Sequence, residues 1–168
     1  ATISSLASAY AVALERRWAD EVVVRARDFY ITILEEFPTL IWRSGLDGRF
    51  DYFNKTWLGF TGRSLQQELG GGWAEGIHAD DAKRARRTFE SAFQSRKAFE
   101  TEFRLRRYDG AYRYVLSSGR PFFDLEGKYA GFVGTCLDIT EQKGVEEKLR
   151  DMSQHDGLTQ LYNRSFFE

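Results

Sequence analysis

The chain has 168 residues, of which 42% are hydrophobic and 29% charged, so it can bury a core and is not expected to be disordered. Its formal net charge of −1 gives no overall field that would attract nucleic acid or an anionic membrane. The single cysteine, Cys136, excludes an intrachain disulfide and a cysteine-based metal cluster.

A membrane span is also not expected, because no run of about eighteen apolar residues is present. We therefore expect this part of the protein to be cytoplasmic, and a membrane anchor upstream is left open. The chain begins with Ala rather than Met, which suggests a piece of a longer protein.

Residues 3–37 are predicted to form one long helix that ends before Pro38. Apolar side chains recur at every fourth position along it, at Leu6, Tyr10, Leu14, Trp18 and Val22. This stripe fits either a helix packed on its own domain or a protruding helix that pairs with a second copy of the chain.

Two short strands and a short helix are predicted next. Residues 40–44 alternate in a strand pattern, and an Asp-Gly turn at positions 47–48 leads into a second strand at 50–53. Residues 54–60 predict a short helix that Gly62 closes.

A longer helix is predicted after Asp80, which is a suitable N-cap. One apolar stripe supports it, formed by Ala82, Ala85, Phe89, Ala92 and Phe93. Its other faces carry basic residues, but without interleaved aromatic residues these indicate a solvated surface rather than a nucleic-acid interface.

Three antiparallel strands are predicted from residue 99 onward, joined by turns at Asp109-Gly110 and at 126–127. Phe103 and Leu105 alternate with charged residues in the first of them. In the second, Tyr112, Tyr114 and Leu116 share one face, which we expect to point inward. The arginines of this hairpin, Arg104, Arg106 and Arg113, are expected to pair across it with Glu100 and Glu102.

The final predicted helix begins near Thr140, which can act as its N-cap. Val145, Leu149 and Met152 follow a heptad spacing over barely two turns. Such a seam is too short to hold a dimer alone, but it can transmit rotation from a dimeric body.

Three motifs in this order of elements resemble those of PAS sensor domains. They are W-x-x-x-I-H-x-D-D at 73–81, R-R-Y-D-G-x-Y-R-Y at 106–114 and G-T-C-L-D-I-T-E-Q-K at 134–143. The resemblance covers roughly residues 28–143. It implies an α+β fold in which a five-stranded antiparallel sheet is flanked by short helices, with a long N-terminal helix and a C-terminal linker helix.

The resemblance also implies a pocket between the sheet and the helices. The candidate lining residues are Trp42, Phe53, Trp57, Trp73, Phe89, Phe103, Leu105, Tyr114, Leu116 and Cys136. For any one aromatic residue among them, a role in the core is the simpler interpretation.

No cofactor is identified by a specific motif. The cysteine-containing string of photoactive flavin domains is missing, so noncovalent flavin and haem are left open, the latter through His78. We expect no metal site, because the two histidines and the cysteine lie far apart in the sequence.

The last residues, Asp156-Gly157-Leu158-Thr159 with Leu161, Asn163 and Arg164, resemble the entry motif of GGDEF domains, which make cyclic di-GMP. The G-G-D-E-F string itself does not occur, so we expect no enzymatic activity in this chain. The resemblance implies a helical extension at 1–27, a PAS domain at 28–140, a linker helix at 141–154 and the start of a GGDEF domain at 155–168.

Two functional hypotheses follow. In the first, the chain is a homodimeric sensor that binds a small-molecule signal and regulates a C-terminal diguanylate cyclase. The expected relay residues are Asp138, Ile139, Thr140, Val145 and Leu149. In the second, it is a ligand-free structural spacer that holds two output domains together.

Overall fold

The computed structural model describes residues 2–154, which divide into two compact units between Phe37 and Pro38. The first unit contains one helix, α1, which spans Thr2–Glu36. The predicted boundary at residue 27 falls inside this continuous helix. The side chains of the predicted apolar stripe are exposed at Leu6, Tyr10, Leu14, Trp18 and Val22.

The second unit is built on one antiparallel sheet with the strand order β2-β1-β5-β4-β3. The strands are β1 Leu40–Ser44, β2 Phe50–Phe53, β3 Phe99–Arg106, β4 Tyr112–Phe123 and β5 Tyr129–Asp138. The helices are α2 Lys55–Thr61, α3 Leu65–Glu68, a 3-10 helix at Gly72–Gly76, α4 Ala79–Ser95 and α5 Thr140–Gln154. The α+β architecture with a five-stranded antiparallel sheet is therefore confirmed.

A pair of glycines shapes the centre of the sheet. Gly119 of β4 and Gly134 of β5 lie directly opposite each other, and Gly134 also pairs with Trp42 of β1. A Cβ atom on either glycine would collide with the Trp42 ring. The two glycines thus form the slot in which this indole lies, and Trp42 is only 2% exposed.

The N-cap of α4 is His78 rather than the predicted Asp80. The helix begins at Ala79, so Asp80 already lies in its first turn, and the Nδ1 atom of His78 accepts the Asp80 N–H at 3.3 Å. Asp81 instead accepts the backbone N–H of Arg104 at 3.0 Å and its Nε–H at 2.8 Å. These bonds fasten α4 to β3.

The predicted charge pairs across the β3–β4 hairpin are wrong. The register places Arg104 opposite Tyr114 and Glu102 opposite Leu116, so no opposite charges face each other there. Arg104 pairs with Asp81. Arg113 pairs with Asp138, and Glu102 with Lys143.

The glycine slot generates a stability prediction. Gly134→Ala should lower the free energy of unfolding by at least about 2 kcal/mol, because its neighbours are a packed ring and a backbone carbonyl that cannot move aside. Urea unfolding monitored by tryptophan fluorescence measures this loss. Gly144→Ala is the control, since nothing lies within 4 Å of that position and the helix should gain slightly. Equal stability of Gly134→Ala and the wild type would contradict the slot.

The α4–β3 contact generates a pH prediction. Hydrogen bonds from Arg104 lower the pKa of Asp81 from 3.8 to about 2, so the stabilisation is present above pH 3.8 and is lost as the pH falls toward 2. Asp81→Asn should remove on the order of 1–2 kcal/mol at neutral pH and flatten the acid limb of the stability curve. Asp80→Asn removes only the exposed pair with the same arginine at 3.3 Å and should cost less. A curve for Asp81→Asn as steep as that of the wild type would refute this assignment.

Candidate functional site

An internal cavity lies between the sheet and the helices of the second unit, where the sequence predicted a pocket. Six predicted residues line it, namely Trp42, Trp57, Trp73, Phe89, Phe103 and Cys136. The sequence reasoning missed five others, which are Phe50, Ala85, Phe99, Thr101 and Ser117. Phe53 and Leu105 are buried in the surrounding core without lining the cavity.

Tyr114 and Leu116 were assigned to the wrong face of β4. The residues of this strand that face the core are Val115, Ser117 and Gly119, because Val115 lies opposite Phe103, which points inward. Residues directly opposite each other on neighbouring strands project to the same side of a sheet. Tyr114 is accordingly 40% exposed.

The cavity is almost filled by its own aromatic walls. The Phe50 ring centre lies 4.7 Å from that of Trp73 and 4.8 Å from that of Phe89. The remaining volume is about 20 Å³, which is room for one water molecule. Flavin or haem does not fit this space. His78 does not line it, and its Nδ1 atom is bonded at the start of α4.

The polar groups of the cavity carry no charge. Burial raises the pKa of the Cys136 thiol to about 12, although hydrogen bonds with Ser117 and Trp42 oppose this shift. The thiol is therefore protonated and a poor nucleophile or metal ligand. Thr101 accepts a hydrogen bond at 3.2 Å from Arg84, whose guanidinium comes from α4. The arrangement suits contact with a small neutral group rather than catalysis.

Three of the five predicted relay residues, Asp138, Ile139 and Thr140, form a compact junction at the end of β5. Asp138 accepts the N–H of Thr140 at 3.0 Å and the Nε–H of Arg113 at 2.8 Å. The Thr140 hydroxyl oxygen accepts the N–H of Tyr114 at 2.9 Å, so it binds β4 rather than capping α5. Ile139 is buried, and its N–H donates to the Tyr114 carbonyl at 2.8 Å. We call Asp138, Ile139 and Thr140 the clasp.

Electrostatics strengthen the clasp and extend it into α5. Burial tends to raise the pKa of Asp138, but hydrogen bonds from Arg113 and Thr140 outweigh it, and the pKa is lowered. One turn further on, the Lys143 ammonium lies 2.6 Å from Glu102 of β3 and 5.5 Å from the centre of the Tyr114 ring. Beyond this turn Val145 and Leu149 are exposed. The first turn of α5 is thus fastened to both β3 and β4.

Comparison with known proteins identifies the family. A family model described as the PAS fold matches residues 50–136, about half of the chain. The chain belongs to the PAS family. PAS domains are sensory modules of signalling proteins and are not themselves catalytic.

The relatives are longer proteins. The chain is 35% identical over 159 residues to protein y4lL of Sinorhizobium fredii, covering 90% of this chain and 19% of that protein. It is 29% identical over 131 residues to the peroxide stress-activated histidine kinase mak1 of Schizosaccharomyces pombe, covering 73% of this chain and 8% of that one. The PAS chain therefore spans a fifth or less of these curated relatives.

One similar solved structure is the N-terminal domain of a diguanylate cyclase with PAS/PAC sensor from Marinobacter aquaeolei. Its TM-score is 0.55 at 17% identity, over 62% of this chain and 98% of that one. At this identity the likeness shows the fold alone. The GGDEF-like residues predicted at 155–168 lie outside the described residues.

The described part of the PAS chain contains neither a membrane-spanning helix nor a cluster of metal-ligating side chains. Among the helices between Thr2 and Gln154, none combines the length and apolar character that crossing a membrane requires. Within the same residues, no three His, Cys, Asp or Glu side chains are grouped so that they would hold a metal ion.

Proposed function

We propose that this PAS chain is a sensory and dimerising module that regulates a C-terminal diguanylate cyclase. The observation that carries the proposal is the clasp, because it connects the last strand of the sensor directly to the helix that leaves it. A displaced strand would move α5 with it, since Asp138 and Thr140 bind two strands and the helix start at once.

The strands that hold the clasp are also walls of the internal cavity. Cys136 and Asp138 are two residues apart on β5, and Ser117 and Tyr114 are three apart on β4. Cys136 and Ser117 line the cavity. A change in what occupies the cavity would therefore displace β4 or β5 within three residues of the clasp, and so move α5.

Dimerisation is supported by apolar side chains left exposed on α1 and on α5. The α1 stripe includes Leu14 at 48% exposure and Trp18 at 73%, and α5 exposes Val145 and Leu149. Pairing with a second copy would cover these residues. Two α5 helices in such a dimer would set the spacing of two output domains. Because two cyclase domains must meet to join two GTP molecules, that spacing controls output.

The proposed identity of the output domain rests on the GGDEF-like motif at 156–164. The relative mak1 carries a histidine kinase name, so the same kind of module also occurs in proteins with another output. Assay of the longer protein for cyclic di-GMP formation from GTP distinguishes these two classes.

A ligand-free spacer is the second candidate function, and the small cavity favours it. A volume of about 20 Å³ leaves no room for an organic ligand in the observed arrangement. Native mass spectrometry together with a visible spectrum of the purified chain separates the two functions. A sensor is expected to retain a small mass or respond to one, whereas a spacer stays a bare dimer under all conditions.

The relay is tested with the double variant Val145→Ser/Leu149→Ser in the protein that carries the cyclase. We expect regulation of cyclic di-GMP formation to be lost, because the helix loses its apolar seam, while the PAS core stays folded by circular dichroism. Glu147→Ser, at an exposed position on the same helix, is the matched control and should keep regulation. Unchanged regulation in the double variant would show that α5 is not the relay.

A further inference from the structure

A second, open cavity of about 270 Å³ lies on the surface of the PAS core, and we call it the outer cleft. It is bounded by the β1–β2 turn, the glycine loop at 70–71 and helix α4. The glycine wall is fixed in place, because the Gly70 N–H donates to the Phe50 carbonyl at 2.8 Å. The cleft is therefore a preformed feature of the fold.

The floor of the outer cleft is aromatic. It is formed by Phe50, Trp73, Phe89 and Phe93. The first three also line the internal cavity, so the two cavities share these rings. Phe50, Trp73 and Phe89 are buried and Phe93 is half-buried, so a ligand on this floor would bury apolar surface mainly against Phe93.

The rim of the outer cleft is charged. Arg86, Glu90 and Gln94 follow one another at four-residue spacing on α4, and all three are exposed. In the part of the chain that the structure describes, none of their side chains makes a hydrogen bond or an ion pair, unlike those of Arg84 and Asp81 on the same helix. An ion pair between residues four apart on a helix is weaker when the basic residue comes first, as Arg86 does before Glu90. Both charged groups are therefore available to a ligand.

Opposite α4, the β1–β2 turn contributes a second carboxylate. Asp47 lines the cleft, and one of its oxygens accepts the Arg49 N–H at 3.0 Å. The rim therefore presents one cation and two anions around an apolar floor. Side chains one helical turn apart have Cβ atoms separated by about 5–6 Å. A small ligand that carries both an ammonium group and a carboxylate can therefore contact both side chains at once.

We infer that the outer cleft binds a small zwitterion of the α-amino acid type that carries an apolar or aromatic side chain. Arg86 binds its carboxylate, Glu90 and Asp47 bind its ammonium group, and the aromatic floor takes the side chain. The cleft volume lies just below the roughly 300–1,000 Å³ of pockets for drug-sized ligands, which matches a molecule smaller than a nucleotide or flavin.

The rings of the outer cleft also contact β5, the strand that ends at the clasp. That binding in the cleft acts on the clasp rests on the sensory function proposed above. The Phe93 ring centre lies 5.9 Å from that of Phe132, and the Phe89 ring centre lies 6.0 Å from it. Phe132 is fully buried on β5, the strand that ends at Asp138. A bound side chain that shifts these rings acts on the strand that carries the clasp.

The test is a calorimetric titration of the 168-residue chain with L-leucine, L-phenylalanine and L-tryptophan. We expect saturable binding of at least one of them. For L-phenylalanine, the analogues 2-phenylethylamine and 3-phenylpropanoate each lack one charge and should bind at least about tenfold more weakly. Arg86→Ala should weaken amino-acid binding by a similar factor.

Arg87→Ala is the matched control, because Arg87 is the next residue on α4, is also exposed and does not line the cleft. It should leave the affinity unchanged. No saturable binding of any of the three amino acids, or equal weakening by both arginine variants, would overturn the inference. The titration has no output readout, so its failure contradicts the cleft alone. Unchanged output in the α5 double variant contradicts the relay alone.

Discussion

The clasp is the constraint on which the rest of the structure depends. Asp138 holds the first amide of α5 and the side chain of Arg113, and Thr140 holds the amide of Tyr114. Each of these groups would otherwise be left unpaired where strand becomes helix. Because the same few atoms satisfy the end of β5, the edge of β4 and the start of α5, these three elements are expected to move together.

A packed aromatic core makes this connection stiff. Trp42 lies in its glycine slot and contacts Phe50, Phe89 and Phe99, whose rings continue to Phe132 on β5. Close-packed interiors rearrange between discrete states rather than deforming smoothly. A signal that enters such a core acts by repacking rings, and the outer cleft offers a place where a ligand contacts those rings without entering the core.

The fold could be predicted from the sequence because its strongest signals are local. Phe103 and Leu105 alternate with charged residues, and Asp109-Gly110 marks the hairpin turn, so β3 and its partner were placed correctly. The inward face of β4 is not evident from the sequence. The Tyr114 side chain has an apolar ring and a polar hydroxyl and can lie on either face, whereas the inward-facing Ser117 gives no hydrophobic signal. The size of the cavity depends on how distant rings pack, and no local pattern encodes that.

The same limit applies to the charges. Asp81 of α4 pairs with Arg104 of β3, and Glu102 of β3 pairs with Lys143 of α5. These pairs join elements that are distant in the sequence, so they are known only once the three-dimensional structure is known. The central claim, that the clasp joins sheet and exit helix, is tested most directly by hydrogen exchange. The amides of Tyr114, Ile139 and Thr140 should be as protected as the centre of β5, and Asp138→Ala should release them while the sheet centre stays protected. Free exchange of these amides in the wild type would contradict the account.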